Sequence, residues 1–459
     1  MKNDPSFLCG VGKIDITPPL HSVINGDFIP VYVEKVHDLI YAKTIVFKSA
    51  DAWFVIVMVD TCSVTADFTN RVKKQISQET GIPVSNMMIA ATHIHSGGAL
   101  SDVFLTDASM AYINFVTIAI IALVCNAKEN MQPCRISYGN VNVPEHVVCR
   151  RYKMKPGFKP FNPFGNKDEQ IVTNPVGYED QIETRSPITD PGVPFLAIQS
   201  TAGKWLGCLA NYSLHYVGDF ESSTISGDYF GIFSETLKER LGAGDDFIGM
   251  LSNGTSGNIN IWDFLNPDRY PSNAFEKSRI IAEDIVDNII KTVAGLRWEY
   301  HPQIKVESRV LRCKVRKPSP QELTAAKEIY SKTDYKKITT REHDDLVKIF
   351  AREQVLLDNE PDECPVEVTA CAIGKGYIGF LPGEFFAETG LWLKERMKPH
   401  PYFTICIANG AVGYVPPDHE LDAGGYETWR CRTSKLEKGS ENMIRESLLN
   451  LLKDLSRSA

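Results

Sequence analysis

The sequence is short of basic charge: 49 lysines and arginines face 57 acidic residues, for a formal net charge of −8. That balance leaves no basic face for a phosphate backbone or an anionic bilayer, which argues against nucleic acid as a partner. CxxC pairs are also missing. The eleven cysteines are an odd number, and Cys62, Cys125, Cys208 and Cys406 lie inside apolar runs. A disulfide framework or a thiolate zinc site needs closer spacing, so buried reduced thiols are expected. The opening "MKNDPSFLCG" has one lysine and no apolar h-region, so no signal peptide is visible. As the sequence stands, a cytoplasmic protein is expected, or a secreted or periplasmic one if a leader has been trimmed. Internal repeats, low-complexity tracts and linkers are absent. One run, "AYINFVTIAIIALVCNA" (111–127), approaches membrane-span length. It contains Asn114 and Thr117, lacks flanking basic anchors and lies between strand-like runs. It reads as a buried helix packed on a sheet, with no transmembrane segment in the chain.

What is present is ordinary globular composition, 43% hydrophobic and 23% charged over 459 residues. Short β-rich runs such as "AWFVIVMVD", "NMMIAATHIH", "PFLAIQS", "KWLGCLANYSLH" and "YFTICIANG" alternate with helical patterns such as "ADFTNRVKKQISQETG", "GDYFGIFSETLKERLG" and "PGEFFAETGLWLKERM". This alternation predicts an α/β fold: a large mixed β-sheet with flanking helices and the active site at the carboxyl ends of strands. A single domain over 1–459 is expected. It carries a Pro-, Gly- and Asn-rich loop excursion at about 150–190 and a charged helical insertion at about 316–360. Ser440 is the expected N-cap of a terminal helix.

Reactive residues recur at the ends of these runs. Asp60 closes "VIVMVD", His93 and His95 close "IAATHIH", His215 closes "ANYSLH", and Ser256 follows "IGMLSNG". Glu384 ends "GYIGFLPGE", and Tyr414 follows "TICIANG". His93 and His95, two apart on an extended chain, share one face. They suit one ion, an ion plus a proton carrier, or a merely structural pair. Two histidines and a carboxylate from separate strands, with a position left open, are what catalytic zinc needs. Glu384 also suits a helix N-terminus, because Pro382 and Gly383 precede a helical pattern. "SNGTSGN" (252–258) is either a turn or a place where a hydroxyl meets a carbonyl. "SGDYFG" (226–231) offers Ser226 or Asp228 as a helix cap.

These pieces, in this order, resemble the neutral (non-lysosomal) ceramidase family. "GVGKIDITPP" resembles its N-terminal strand, "ATHIHSGG" its histidine motif, and "CRRY" the loop with an active-site arginine. "NYSLH" resembles its second metal-histidine strand, "SNGTSGN" its serine motif, and "LPGEF" with "GYVPPDHELDAGGYE" its C-terminal glutamate and tyrosine motifs. The resemblance implies one Zn2+ per chain, on His93, His215, Glu384 and Tyr414. It implies His95 as acid/base, Arg150 and Tyr426 on the scissile carbonyl and its oxyanion, and Ser256 as the family's active-site serine.

The departures bear on substrate more than on metal chemistry. Only Gly97 and Gly98 follow His-Ser, and Thr255 and Gly257 flank Ser256; the family's C-terminal immunoglobulin-like domain is not expected in this chain. The expected activity is hydrolysis of an amide (N-acyl) bond in a small-molecule or lipid-like substrate by zinc-activated water with carbonyl polarisation. The alternatives are hydrolysis of a small polar, sugar-derived or ester substrate, acyl transfer through a serine nucleophile, and a non-enzymatic scaffold. A ceramide-like substrate requires an apolar channel, for which Phe385, Phe386, Phe104 and Leu105 are the candidates.

Overall fold

The run "AWFVIVMV" has no polar position, as suits a strand covered on both faces. Phe54, Ile56 and Met58 face one apolar layer, and Val55, Val57 and Val59 face another. The structure, a computed structural model, describes residues 7–166 and 168–457. Residues 1–6, which carry part of the leader reading, lie outside the described residues, as do 167, 458 and 459.

Eight strands form the main sheet: β1 (Leu8–Asp15), β2 (Tyr41–Ser49), β3 (Ala52–Val59), β4 (Met87–Ala91), β5 (Gln132–Asn142), β6 (Gly192–Ser200), β7 (Trp205–Tyr212) and β8 (Ile248–Asn253). Their order is β8-β7-β6-β5-β1-β2-β3-β4. The pairs β3/β4 and β7/β8 at the two edges are parallel, and the interior pairs are antiparallel. A second sheet runs β9 (Ile304–Lys314), β10 (Glu363–Ile373), β11 (Gly376–Leu381) and β12 (Tyr402–Cys406), with β11/β12 parallel. Helices α1 (Ala66–Thr80), α2 (Met110–Glu129), α3 (Asp228–Arg240) and α4 (Glu276–Thr292) cover the outer face of the main sheet through Phe68, Val72, Val116, Ile120, Phe233 and Ile285. Its inner face packs on the second sheet, where Phe54, Met88 and Met250 share a core with Phe380, Phe403 and Ile405.

Three further helices complete the frame: α5 (Pro320–Lys332), α6 (His343–Asp358) and α7 (Ala387–Met397). With the terminal helix α8 (Ser440–Arg457), α7 covers the far side of the second sheet through Leu393, Met397, Leu448 and Leu452. The result is the expected mixed α/β architecture, in four layers. Each parallel pair needs a crossover, and each crossover is a helix: β3–α1–β4, β7–α3–β8 and β11–α7–β12.

Local details depart from the sequence reading. The 150–190 stretch, read as a loop, contains a three-stranded antiparallel sheet of 171–173, 151–154 and 182–185. Its strands are too short for periodicity to reveal. The 316–360 stretch holds the helical pair α5 and α6, and α5 opens on a Ser319–Glu322 capping box. Gly227, not Ser226 or Asp228, is the N-cap of α3, and the Ser226 hydroxyl accepts from the Asp228 N–H. Ser440 is the first residue of α8 rather than a cap before it. The 111–127 run is only half buried. Val116, Ile120 and Leu123 pack inward, whereas Met110, Phe115 and Ile118 are exposed, because the sheet covers one side of α2 only. Among the described residues α2 alone is long and apolar enough to cross a membrane by length and composition. All eleven cysteines are free, and nine are buried.

Candidate metal centre and hydrolytic cleft

The candidate ligands stand just beyond the three parallel pairs. His93 follows β4, His215 follows β7, Glu384 follows β11 and Tyr414 follows β12. Residues 407–409 lash the first and third corners together. On one side Ala91 N donates to Ile407 O (3.1 Å) and Ile89 N to Asn409 Oδ1 (3.0 Å). On the other, Ala408 N donates to Leu381 O (3.1 Å) and Ile407 N to Gly383 O (3.3 Å). This strap also covers the otherwise open edge of β4. The second corner joins through Gly257 N, which donates to Phe385 O (2.9 Å), and through Asn258 Oδ1, which accepts from Ala387 N (2.9 Å). A Cβ on Gly257 would lie 2.6 Å from Glu384 O, so only glycine allows that approach. His93 and Ile407 sit at φ 70° and 52°, a left-handed conformation costing about 1–3 kcal/mol each that only a tightly bonded surround sustains.

His93 Nδ1 lies 2.7 Å from Cys62 O, and His215 Nδ1 lies 3.2 Å from Ser256 O. A carbonyl only accepts, so both rings donate from Nδ1 and keep a lone pair on Nε2, the arrangement metal-bound histidines use. The two Nε2 atoms face each other at 3.0 Å, and Glu384 Oε2 lies 3.3 Å and 3.8 Å from them. That carboxylate oxygen is buried with no hydrogen-bond partner. With both rings in that neutral form, three acceptors converge with no donor between them, and their atoms are close enough to share one ion. His93, His215 and Glu384 fit a metal-ion site. Cys62 Sγ also approaches His93 (3.8 Å), but on the Nδ1 side that the carbonyl already occupies. Burial opposes charge on His93, yet Glu384 and Cys62 outweigh it and hold the pKa well above the usual value. The cluster therefore draws positive charge, either as a proton on His93 Nε2 or as a cation in its place.

His95 completes this side, its Nε2 3.4 Å from that of His93. Its ring stacks on Tyr216 at 3.8 Å and 15°, and Gly26 presses on it so closely that a Cβ there would lie 2.5 Å away. Burial, then His93 and Arg150, hold its pKa well below the usual value. Burial, followed by Arg150, does the same to His215. Both rings are neutral near pH 7.

The opposite wall comes from loops. Arg150 donates through Nε to Glu427 Oε1 (2.8 Å) and through Nη2 to Gly257 O (2.8 Å) and Tyr414 Oη (3.0 Å). The other Glu427 oxygen accepts from Arg151 Nη1 (2.8 Å) and Thr173 Oγ1 (2.6 Å), so this fully buried carboxylate is shared by two arginines. Burial opposes charge on Arg150 too, but Tyr414 and Glu427 raise its pKa. Tyr414 is register partner to Glu384 in a short parallel pair, and Tyr426 stacks edge-on to it at 5.6 Å. Glu384 thus begins a strand, not a helix; α7 starts three residues later.

Two chambers open on this centre. The outer one, about 470 Å³, is lined by Arg150, His215, Tyr216 and Asn174 among others, and the inner one, about 200 Å³, by His93, Glu384 and Phe104 among others. His95, Tyr414, Tyr426 and Gly26 line both. Seven of the eight candidate residues therefore meet around the cleft. Ser256 stands apart: its hydroxyl donates to Asn253 Oδ1 (2.7 Å) and it lines neither chamber. The parts played by Tyr216, Cys62, Gly257 and the 407–409 strap went unrecognised in the sequence. Tyr216, adjacent to His215, and Gly257, within "SNGTSGN", carried a local signal.

The neutral/alkaline non-lysosomal ceramidase N-terminal profile matches residues 7–260. Curated proteins give no significant match. Among solved structures, neutral ceramidase from Pseudomonas aeruginosa superposes with a TM-score of 0.73 at 18% identity, over 99% of this chain and 75% of that one. A ceramidase complexed with C2 gives 0.72 at 16% identity, over 99% and 76%. More than half of the sequence lies within the matched profile, and the chain belongs to the neutral/alkaline non-lysosomal ceramidase family.

Proposed function

We propose that this ceramidase-like hydrolase cleaves an N-acyl amide bond with one zinc ion, held by His93, His215 and Glu384 and, by resemblance to the family, Tyr414. The observation that carries the reading is the donor-free convergence of two imidazole Nε2 atoms and an orphaned carboxylate oxygen. Held by these residues, zinc would supply a Lewis acid that could polarise a carbonyl and bring the pKa of water to about 7.

The chain's own groups do the rest. His95, neutral and fixed against Tyr216, takes a proton from the attacking water and returns it to the departing nitrogen as the C–N bond breaks. Arg150 and the Tyr426 phenol face the outer chamber, where they stabilise the oxygen anion that forms as the water oxygen bonds to carbon. Tyr414 Oη accepts from Arg150, so its own proton is free for another acceptor. Ser256 orients His215 through its carbonyl, and its hydroxyl is already committed to Asn253, which favours water over serine as nucleophile.

The test is a set of N-acyl amides of one fluorogenic amine, assayed before and after removal of metal by a chelator. Hydrolysis should vanish and return with zinc. Unchanged hydrolysis after complete metal removal would overturn the reading.

A further inference from the structure

The four apolar residues offered as a lipid channel do not form one. Phe385 and Phe386 are fully buried, Phe385 in the core beneath α7 and α8 and Phe386 under the Arg151 guanidinium. Phe104 does reach the inner chamber, but the space behind it is filled. Its ring lies 4.6 Å from Phe28 and 5.8 Å from Phe350, centroid to centroid, and Phe350 packs edge-on to Trp429 at 5.4 Å. Ile338, Leu346 and Ile349 close the same cluster, with Leu105 against it.

The helical pair builds this stop. Phe350 is on α6, and Arg352, one turn-fraction further along, donates to Phe104 O at 2.7 Å. Arg341, just before α6, pairs with Asp27 beside Phe28 through its Nε at 2.8 Å. Both aromatic rings at the chamber junction are thus fastened to the same insertion. Phe104 itself is held at φ 48°, a conformation such a bulky residue adopts only under constraint.

The rest of the inner chamber is mixed. Val103, Ile407 and Ala411 line it beside Ser63, Thr65, Ser101, Asp102 and the Lys435–Glu360 ion pair at 2.8 Å. A long alkyl chain laid there would have to strip water from these polar groups without replacing their hydrogen bonds. At about 200 Å³ it is also smaller than the ~300–1,000 Å³ typical of pockets that enclose drug-sized ligands.

We infer that the α5–α6 insertion, acting through Phe104 and its backing rings Phe28 and Phe350, restricts this site to substrates with short acyl groups. The inference rests on the amide hydrolysis proposed above and specifies its substrate class. The inner chamber takes the acyl arm. The outer chamber, where Asn25, Asn174, Ser222 and the Asp27–Arg341 pair stand beside Phe28, Val31 and Phe220, takes the amine.

Amides of one polar amine with straight acyl chains of two to twelve carbons test it on the zinc-loaded enzyme. The wild type should work best on the shortest chains, with kcat/KM falling at least about 100-fold by eight carbons. Phe104→Ala should move that limit several carbons outward, chiefly through KM, and Phe350→Leu should move it less in the same direction. If Phe104→Ala does not fold, as judged by its melting curve, Phe104→Leu and Phe350→Leu carry the test. A wild-type rate that climbs with chain length, or folded variants whose length profile is unchanged, overturns the inference. Inactivity towards every amide counts against the hydrolase reading instead. The length limit is then read from thermal shifts with the free fatty acids: stabilisation confined to short acids upholds it, and stabilisation that grows beyond eight carbons overturns it.

Discussion

The two walls of the cleft are made by different means. The ligand wall comes from the ends of parallel strands in two sheets, each strand fixed by its own crossover helix and joined to the next by backbone hydrogen bonds. The arginine wall comes from loops and short strands, held by one buried carboxylate between two guanidinium groups. On the ligand wall a polar atom, Glu384 Oε2, is left without a partner; on the arginine wall both oxygens of Glu427 are bonded. In this cleft the unmet carboxylate oxygen marks the place for a ligand, and the fully bonded carboxylate holds the loops together. The comparison predicts that substitutions of the metal ligands cost function, and that substitution of the carboxylate holding the arginine wall costs stability.

The largest effect belongs to Glu384→Gln. Losing a metal carboxylate removes several kcal/mol of transition-state stabilisation, so kcat/KM should drop roughly a thousand-fold or more. The metal-free protein should stay folded and lose only the pairing of the carboxylate with protonated His93 at 3.3 Å, so its melting temperature should fall little beside the loss of activity. Glu427→Ala should do the reverse in kind. It strands Arg150 and Arg151 in a buried site, and urea denaturation should show a loss of about 3–5 kcal/mol. A loss under about 1 kcal/mol would show that the pair of guanidinium groups finds other partners, and the comparison would fail.

Gly257→Ala probes the seam between the walls. Its new Cβ must displace the Glu384 backbone, so a stability loss of about 1–3 kcal/mol should come with weaker metal retention on dialysis. Wild-type metal retention would uncouple that loop from the ligands. Ser256→Ala should matter least. Its hydroxyl contributes one hydrogen bond to Asn253, worth about 1 kcal/mol, and activity should stay within about tenfold of wild type. An acyl group found on Ser256 by intact-mass analysis during turnover would replace water with serine as the nucleophile.

The same contrast governs what could be read from the sequence. The ligand wall was legible because each ligand ends a continuous apolar run, and strand ends in α/β folds are where sites form. His93, His215 and Glu384 each carried that signal locally. The sheet within 151–185 did not, since its strands span three or four residues and owe their position to partners such as Asp263, which pairs with Arg185. Nor did the 407–409 strap, whose bonds reach β4 more than 300 residues away in the chain. The channel reading of Phe385 and Phe386 failed because sequence proximity to a site does not decide which way a strand residue points. Phe385 alternates with Glu384 and faces the core.

The central claim is that the three strand-end ligands converge on one ion. The direct test is metal analysis by mass spectrometry of purified wild-type protein and of His93→Ala, each equilibrated with zinc and then dialysed. The account predicts close to one zinc per wild-type chain and little in the variant, with both proteins folded. Full zinc retention by His93→Ala, or a folded and active wild type that holds no zinc, would contradict it.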